Sequence, residues 1–97
     1  MATYVVLVNF TDQGIRNVGE SPKRYEAFKA LAEKMEVRLK DIWWTIGAYD
    51  IVTTIEGSEE AVTAALLKLG ALGNVRTQTL RAWAPDEFGR ILKKATS

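Results

Sequence analysis

Apolar positions along the chain fall into two kinds of block: short β-branched runs, and longer stretches in which they recur every three or four residues. Thr3 to Phe10, reading Thr-Tyr-Val-Val-Leu-Val-Asn-Phe, is too apolar on both sides to leave one face in water and predicts a central strand. Ser21 then offers an N-cap and Pro22 a preset first helical residue. Tyr25, Phe28, Leu31, Ala32 and Met35 follow at helical spacing, which predicts an amphipathic helix ending near Met35. Val37 to Ile46 and Tyr49 to Glu56 are branched and aromatic with only Gly47-Ala48 between them, the pattern of a hairpin closed by a two-residue type II′ turn. Ser58 caps a second helix, with Glu59 and Glu60 at the positive end of its dipole and Ala61, Val62, Ala65, Leu66 and Leu69 as its buried stripe. After the glycine-punctuated Gly70-Ala71-Leu72-Gly73, Asn74 to Trp83 alternates like a half-exposed strand. Pro85, Asp86 and Glu87 open a last helix with Phe88, Ile91, Leu92 and Ala95 on one face and Lys93 and Lys94 at its negative end.

The order is β-α-β-β-α-β plus a C-terminal helix, the split βαβ arrangement of ferredoxin-like α+β folds, with a four-stranded antiparallel sheet carrying its helices on one face. No linker, internal repeat or low-complexity tract interrupts residues 1–97, so a single domain is expected. Such a fold leaves one face of the sheet uncovered, while the first strand is apolar on both sides and the hairpin carries Trp43 and Trp44 on opposite faces. A second copy of the chain is the expected cover, since an apolar sheet face is self-complementary and most soluble oligomers are symmetric. The expectation is a homodimer or larger ring.

Composition narrows the chemistry. The 97 residues are 47% apolar and 26% charged, which is ordinary for a globular chain. Thirteen basic against twelve acidic side chains leave a net charge of +1 and no basic stripe, arguing against nucleic acid as a partner. The N-terminus has no basic leader before a hydrophobic stretch, and no apolar run approaches membrane-spanning length, so a soluble, cytoplasmic protein without membrane contact is expected. Zero cysteine and zero histidine remove thiolate nucleophiles, sulfur-rich metal sites, histidine-ligated haem and the side chain that titrates near neutrality. Neither a phosphate-binding GxxxxGK[ST] loop, a GxGxxG fingerprint nor a calcium-type acidic loop is present, and no metal or other cofactor is expected.

The hairpin and the last strand are the most distinctive segments: Trp43-Trp44-Thr45-Ile46-Gly47-Ala48-Tyr49-Asp50, then Leu72-Gly73-Asn74-Val75-Arg76-Thr77-Gln78-Thr79-Leu80-Arg81-Ala82-Trp83. With Thr11-Asp12-Gln13-Gly14-Ile15 and Ser21-Pro22-Lys23-Arg24, they resemble GYD-domain proteins over nearly the whole chain. The resemblance implies a dimeric α/β-barrel type of assembly and leaves the biochemical role unassigned. Two departures stand out: Ala48 occupies a position that is longer and often polar in relatives, and Glu36-Val37 replaces a glycine-rich bend after the first helix.

In a hairpin closed by Gly47-Ala48, Thr45 faces Asp50 and Trp43 faces Val52, with Trp44, Ile46, Tyr49 and Ile51 on the opposite side. The ferredoxin-like order puts the end of the first strand beside the starts of the third and fourth, so Asn9, Asp50 and Arg76 or Thr77 should converge at one end of the sheet. Together with Trp43 and Thr45, and with Tyr49 at the rim, they compose a candidate small-molecule pocket: Asp50 as acceptor or base, Arg76 as anion anchor, Asn9 as orienter and Trp43 as wall. The alternative is an Asp50–Arg76 ion pair amid interface packing, where aromatics and arginine are common. A cofactor-independent monooxygenase or isomerase is the catalytic alternative, using a carboxylate base in an aromatic pocket. A weaker anion site is suggested by Lys23 and Arg24 in the first turn of a helix, where the dipole favours negative charge, together with Ser21 and Arg16. Its bland counterpart is a solvated turn neutralised by Glu20 and Glu26.

Overall fold

The computed structural model describes residues 1–97 and is ferredoxin-like. Strand β1 (Ala2–Phe10) leads through a short helix α1 (Asp12–Arg16) and a 3-10 turn (Val18–Glu20) into α2 (Ser21–Lys34). The hairpin β2 (Arg38–Trp44) and β3 (Ile51–Gly57) follows, then α3 (Glu59–Ala71), β4 (Val75–Ala82) and α4 (Pro85–Thr96). The sheet is antiparallel throughout in the order β2-β3-β1-β4, so the β-branched first strand is central, as its two-sided apolarity requires.

Alternation along each strand divides the sheet into two faces. Tyr4, Val6 and Val8 of β1, Leu39 of β2, Ile51 and Ile55 of β3 and Val75 of β4 are buried beneath α2 and α3. From the helix side, Ala32, Val62 and Ala65 meet them, with Tyr25, Phe28, Leu66 and Leu69 partly buried around the margin. Ile55, Val6, Val37 and Val62 are the largest fully enclosed side chains, each contributing about 1.5–3 kcal/mol by its removal from water.

The helix boundaries show which local signals prevailed. Ser58 accepts from the Ala61 N–H at 3.1 Å, the cap expected for α3. Ser21 does not cap α2: the 3-10 turn runs directly into the helix, placing Glu20 at the N-cap, and the Ser21 hydroxyl accepts instead from Trp44 Nε1 at 2.9 Å. Helix α1 is an element the periodicity did not announce, because five residues are too few to show one. Thr11 caps it through its hydroxyl to the Gly14 N–H, and the Thr11 N–H bonds the Asn74 carbonyl, tying the end of β1 to the turn before β4. Gly14 is required there, since a β-carbon would lie 1.9 Å from the Asn74 oxygen.

The hairpin turn is longer than its Gly47-Ala48 dipeptide predicts. The ladder closes at Thr45 N–H to Asp50 carbonyl, 2.8 Å, so Ile46-Gly47-Ala48-Tyr49 form a four-residue loop, with Gly47 at φ +148°. Thr45 Oγ1 also donates to the Tyr49 carbonyl at 2.6 Å, a local bond that a two-residue turn has no room for.

Helix α4 stands apart from this layered body. None of its residues is buried, and the molecule measures 52 × 31 × 18 Å with a radius of gyration of 14.8 Å, against about 12.5 Å for a compact chain of this length.

Candidate functional site

The face of the sheet away from α2 and α3 is the surface on which the sequence places a site. Its centre is apolar. Cross-strand pairing sets Trp43 opposite Val52, Val52 opposite Leu7 and Val5 opposite Leu80, forming a patch over all four strands. Trp43 and Leu80 remain 53% and 51% exposed. Polar groups ring the patch: Lys40 and Glu56, paired at 3.5 Å, and Asp41 and Thr54 on one side, Asn9, Arg76 and Gln78 on the other.

At one end of this face, the structure brings Asn9 and Arg76 into direct register across β1 and β4 and sets Asp50 at the tip of β3. Asp50 is built into the backbone there. Its N–H donates to the Val8 carbonyl at 2.8 Å, and its carboxylate Oδ2 accepts from the Phe10 N–H at 2.8 Å, so the side chain takes over where the β1–β3 ladder stops. The only ion pair in the molecule is Lys40–Glu56, so Asp50 and Arg76 are not paired. Thr77 pairs with Val8 and lies on the helix side, which leaves Arg76 alone of the two on the open face.

Tyr49 departs from the face expected of it. The four-residue loop breaks strict alternation, and the Tyr49 hydroxyl meets Gln78 Oε1 at 3.3 Å, reaching past β1 to β4 over the open face. Gln78 was not among the expected residues; its only sequence signal is its place in the alternation of the last strand. Trp44 does lie on the helix side, edge-to-face with Tyr25 at 6.0 Å.

The cationic start of α2 is engaged within the chain. Arg24 donates to the Asn17 carbonyl at 3.0 Å and the Gly14 carbonyl at 3.3 Å, at the negative end of α1, and Ser21 is occupied by Trp44. Neither Glu20 nor Glu26 pairs with Lys23 or Arg24. The apparent conflict with the helix dipole is thus resolved at Arg24 by backbone carbonyls, while Arg16 and Lys23 point into solvent at exposed positions.

None of the three main cavities is lined by Asn9, Trp43, Thr45, Tyr49 or Asp50. The largely apolar cavity lies on the other side of the sheet, beneath α2 and α3, with a volume of about 340 Å³. Val6, Phe28, Leu31, Ile55 and Leu69 line it, with Arg24, Ser21, Thr53 and Asn74 as polar members and no carboxylate. Sequence periodicity marks these apolar residues as core; that two helices splay enough to leave a void among them is a tertiary matter.

Comparison with known proteins adds a family and a fold. The GYD domain matches residues 4–92. The chain is 34% identical over 84 residues to the glutamine synthetase and cystathionine beta-lyase binding protein of Thermus thermophilus, covering 84% of this chain and 88% of that one. Among solved structures, FFRP-DM1 superposes with a TM-score of 0.61 at 19% identity, covering 86% of this chain and all of the other. A hypothetical protein from Pyrococcus horikoshii, PHS023, does so with a TM-score of 0.61 at 18% identity over 87% and 92% of the two chains. At those identities the structural likeness speaks for the fold alone.

Proposed function

The chain belongs to the GYD-domain family, and from that premise we propose that it is a binding protein that self-associates through its open sheet face and engages another protein as a partner. The observation that carries this reading is the anatomy of that face: an apolar centre of Val5, Leu7, Trp43, Val52 and Leu80 inside a polar rim, the arrangement of an interface with a desolvated core. An antiparallel sheet with one face in water ordinarily turns polar residues outward, and here the centre does the opposite. In this reading Asn9, Thr45, Tyr49, Asp50, Arg76 and Gln78 are rim groups that fix register between subunits. A second copy packed on the face would close a dimeric α/β barrel.

The partner reading draws on the Thermus relative, whose name says that it binds glutamine synthetase and cystathionine beta-lyase. Leu80→Arg, placed in the patch but half exposed, tests self-association without disturbing the buried core. The expected outcome is an unmodified chain that sediments as a dimer or larger at micromolar concentration, and an L80R chain that sediments as a monomer with unchanged circular dichroism. An unmodified chain sedimenting as a monomer retires self-association. Titration with a glutamine synthetase and with a cystathionine beta-lyase checks the partner separately: binding to neither retires that half of the reading.

Small-molecule binding is a second reading, favoured by the 340 Å³ cavity, whose size and lining suit a compact apolar ligand. Without a carboxylate among its walls, that cavity favours binding over the proton abstraction that a cofactor-independent enzyme needs.

A further inference from the structure

Helix α4 has an apolar stripe that its own chain covers only in part. Phe88, Ile91 and Leu92 share one face at helical spacing and are each more than one-third exposed, while Arg90, Lys93 and Lys94 lie toward the C-terminal end and Asp86 and Glu87 at the start. At its root, the Arg81 guanidinium stacks on Trp83 at 4.5 Å. The molecule exposes 6598 Å², whereas a folded chain of 10.8 kDa exposes about 5,500 Å². The surplus, about 1,000 Å², exceeds the roughly 800 Å² that each partner contributes to a stable interface.

A receptor of matching length exists on the same molecule. Between α3 and edge strand β4 runs a groove of about 540 Å³, lined by Val62, Thr63, Leu66, Leu67 and Ala71 of α3 with Thr77 and Thr79 of β4. Leu67 stands 70% exposed on it. Helix α3 has 13 residues and α4 has 12, so their axes are both about 18–20 Å long.

Direction decides which copy fills the groove. Strands β3 and β4 end at the same end of the sheet, Gly57 opposite Ala2 and Ala82 opposite Thr3, so α3 and α4 start together. Folded back into its own groove, α4 would run parallel to α3. Asp86 and Glu87 would then lie against Glu59 and Glu60, and the basic end against Lys68, with the dipoles aligned. An α4 arriving from another molecule is free to run antiparallel, which sets Arg90, Lys93 and Lys94 beside Glu59 and Glu60, and Asp86 and Glu87 beside Lys68.

We infer that α4 is an exchanged arm: it packs antiparallel to α3 in the α3/β4 groove of a second copy of this chain. This contact uses a surface separate from the open sheet face and stands whether or not that face pairs.

The chain has no cysteine, so single introduced cysteines report single contacts. A chain carrying Leu92→Cys is mixed with a differently sized tagged chain carrying Thr63→Cys and oxidised mildly. Antiparallel packing sets Leu92 beside Thr63 and about 12 Å along the axis from Ala71. The expected result is a disulfide-linked species containing both chains, and its loss when Ala71→Cys replaces Thr63→Cys. Linkage favouring Ala71→Cys, no linkage between chains, or ring closure within one chain carrying both Leu92→Cys and Thr63→Cys overturns the inference. Failure of sheet-face pairing is read elsewhere, in the sedimentation of the L80R chain, so either contact is able to fail alone.

Discussion

Glu36 ends α2 in a conformation that suits glycine, with φ +62°. The Glu36 N–H bonds the Glu33 carbonyl and the Val37 N–H bonds the Ala32 carbonyl, the paired bonds of a Schellman cap, and Val37 and Ala32 are both in the core. The two apolar anchors hold the bend, and the side chain of Glu36 bears the strain of a left-handed residue. Glu36→Gly relieves it and is expected to stabilise the fold by about 0.5–1 kcal/mol, read as a raised midpoint in urea denaturation with unchanged slope. Glu36 in place of a glycine thus raises the cost of a turn that still closes with both cap hydrogen bonds. Asp50 carries a comparable lesson: the residue types suggested a base or an ion pair, yet its carboxylate accepts a backbone N–H from Phe10. Residue identity alone does not say which of several nearby donors a carboxylate will meet.

Among the elements, β2 and α2 are joined by one part-buried hydrogen bond, from Trp44 Nε1 to the hydroxyl of Ser21, a residue only 5% exposed. Trp44→Phe preserves most of the ring packing against Tyr25 but leaves that hydroxyl without its donor, and is expected to cost about 1–2 kcal/mol in thermal or urea unfolding. Open-face chemistry is unaffected by that change, because Trp43, one residue away, points to the other side. Periodicity located both tryptophans on their faces, and it located β1, α2, α3, β4 and α4 to within a residue or two. It missed α1, whose five residues are held by contacts to Asn74 distant in sequence, and it shortened the hairpin loop, whose conformation depends on the Thr45 hydroxyl reaching Tyr49.

For the whole molecule, the two unfilled surfaces, the sheet centre and the α4 stripe, both call for association, and burial available only in the assembly contributes to stability through mass action. The unfolding midpoint is therefore expected to rise with protein concentration; a midpoint constant over a hundredfold range of concentration would contradict association by either surface. No helix is long and apolar enough to cross a membrane, so neither stripe is a span. By itself the sequence determined every element but α1, the sheet order they imply and the two faces of each strand, because hydrophobic period is a local property that every residue carries with it. Only the tertiary structure decided that Asp50 closes a ladder, that Tyr49 crosses to Gln78, that a void lies under the helices and that α4 leaves the body uncovered. Those outcomes turn on distances between segments 29 to 40 residues apart or on the exact filling of space between layers, and pattern along a chain carries neither.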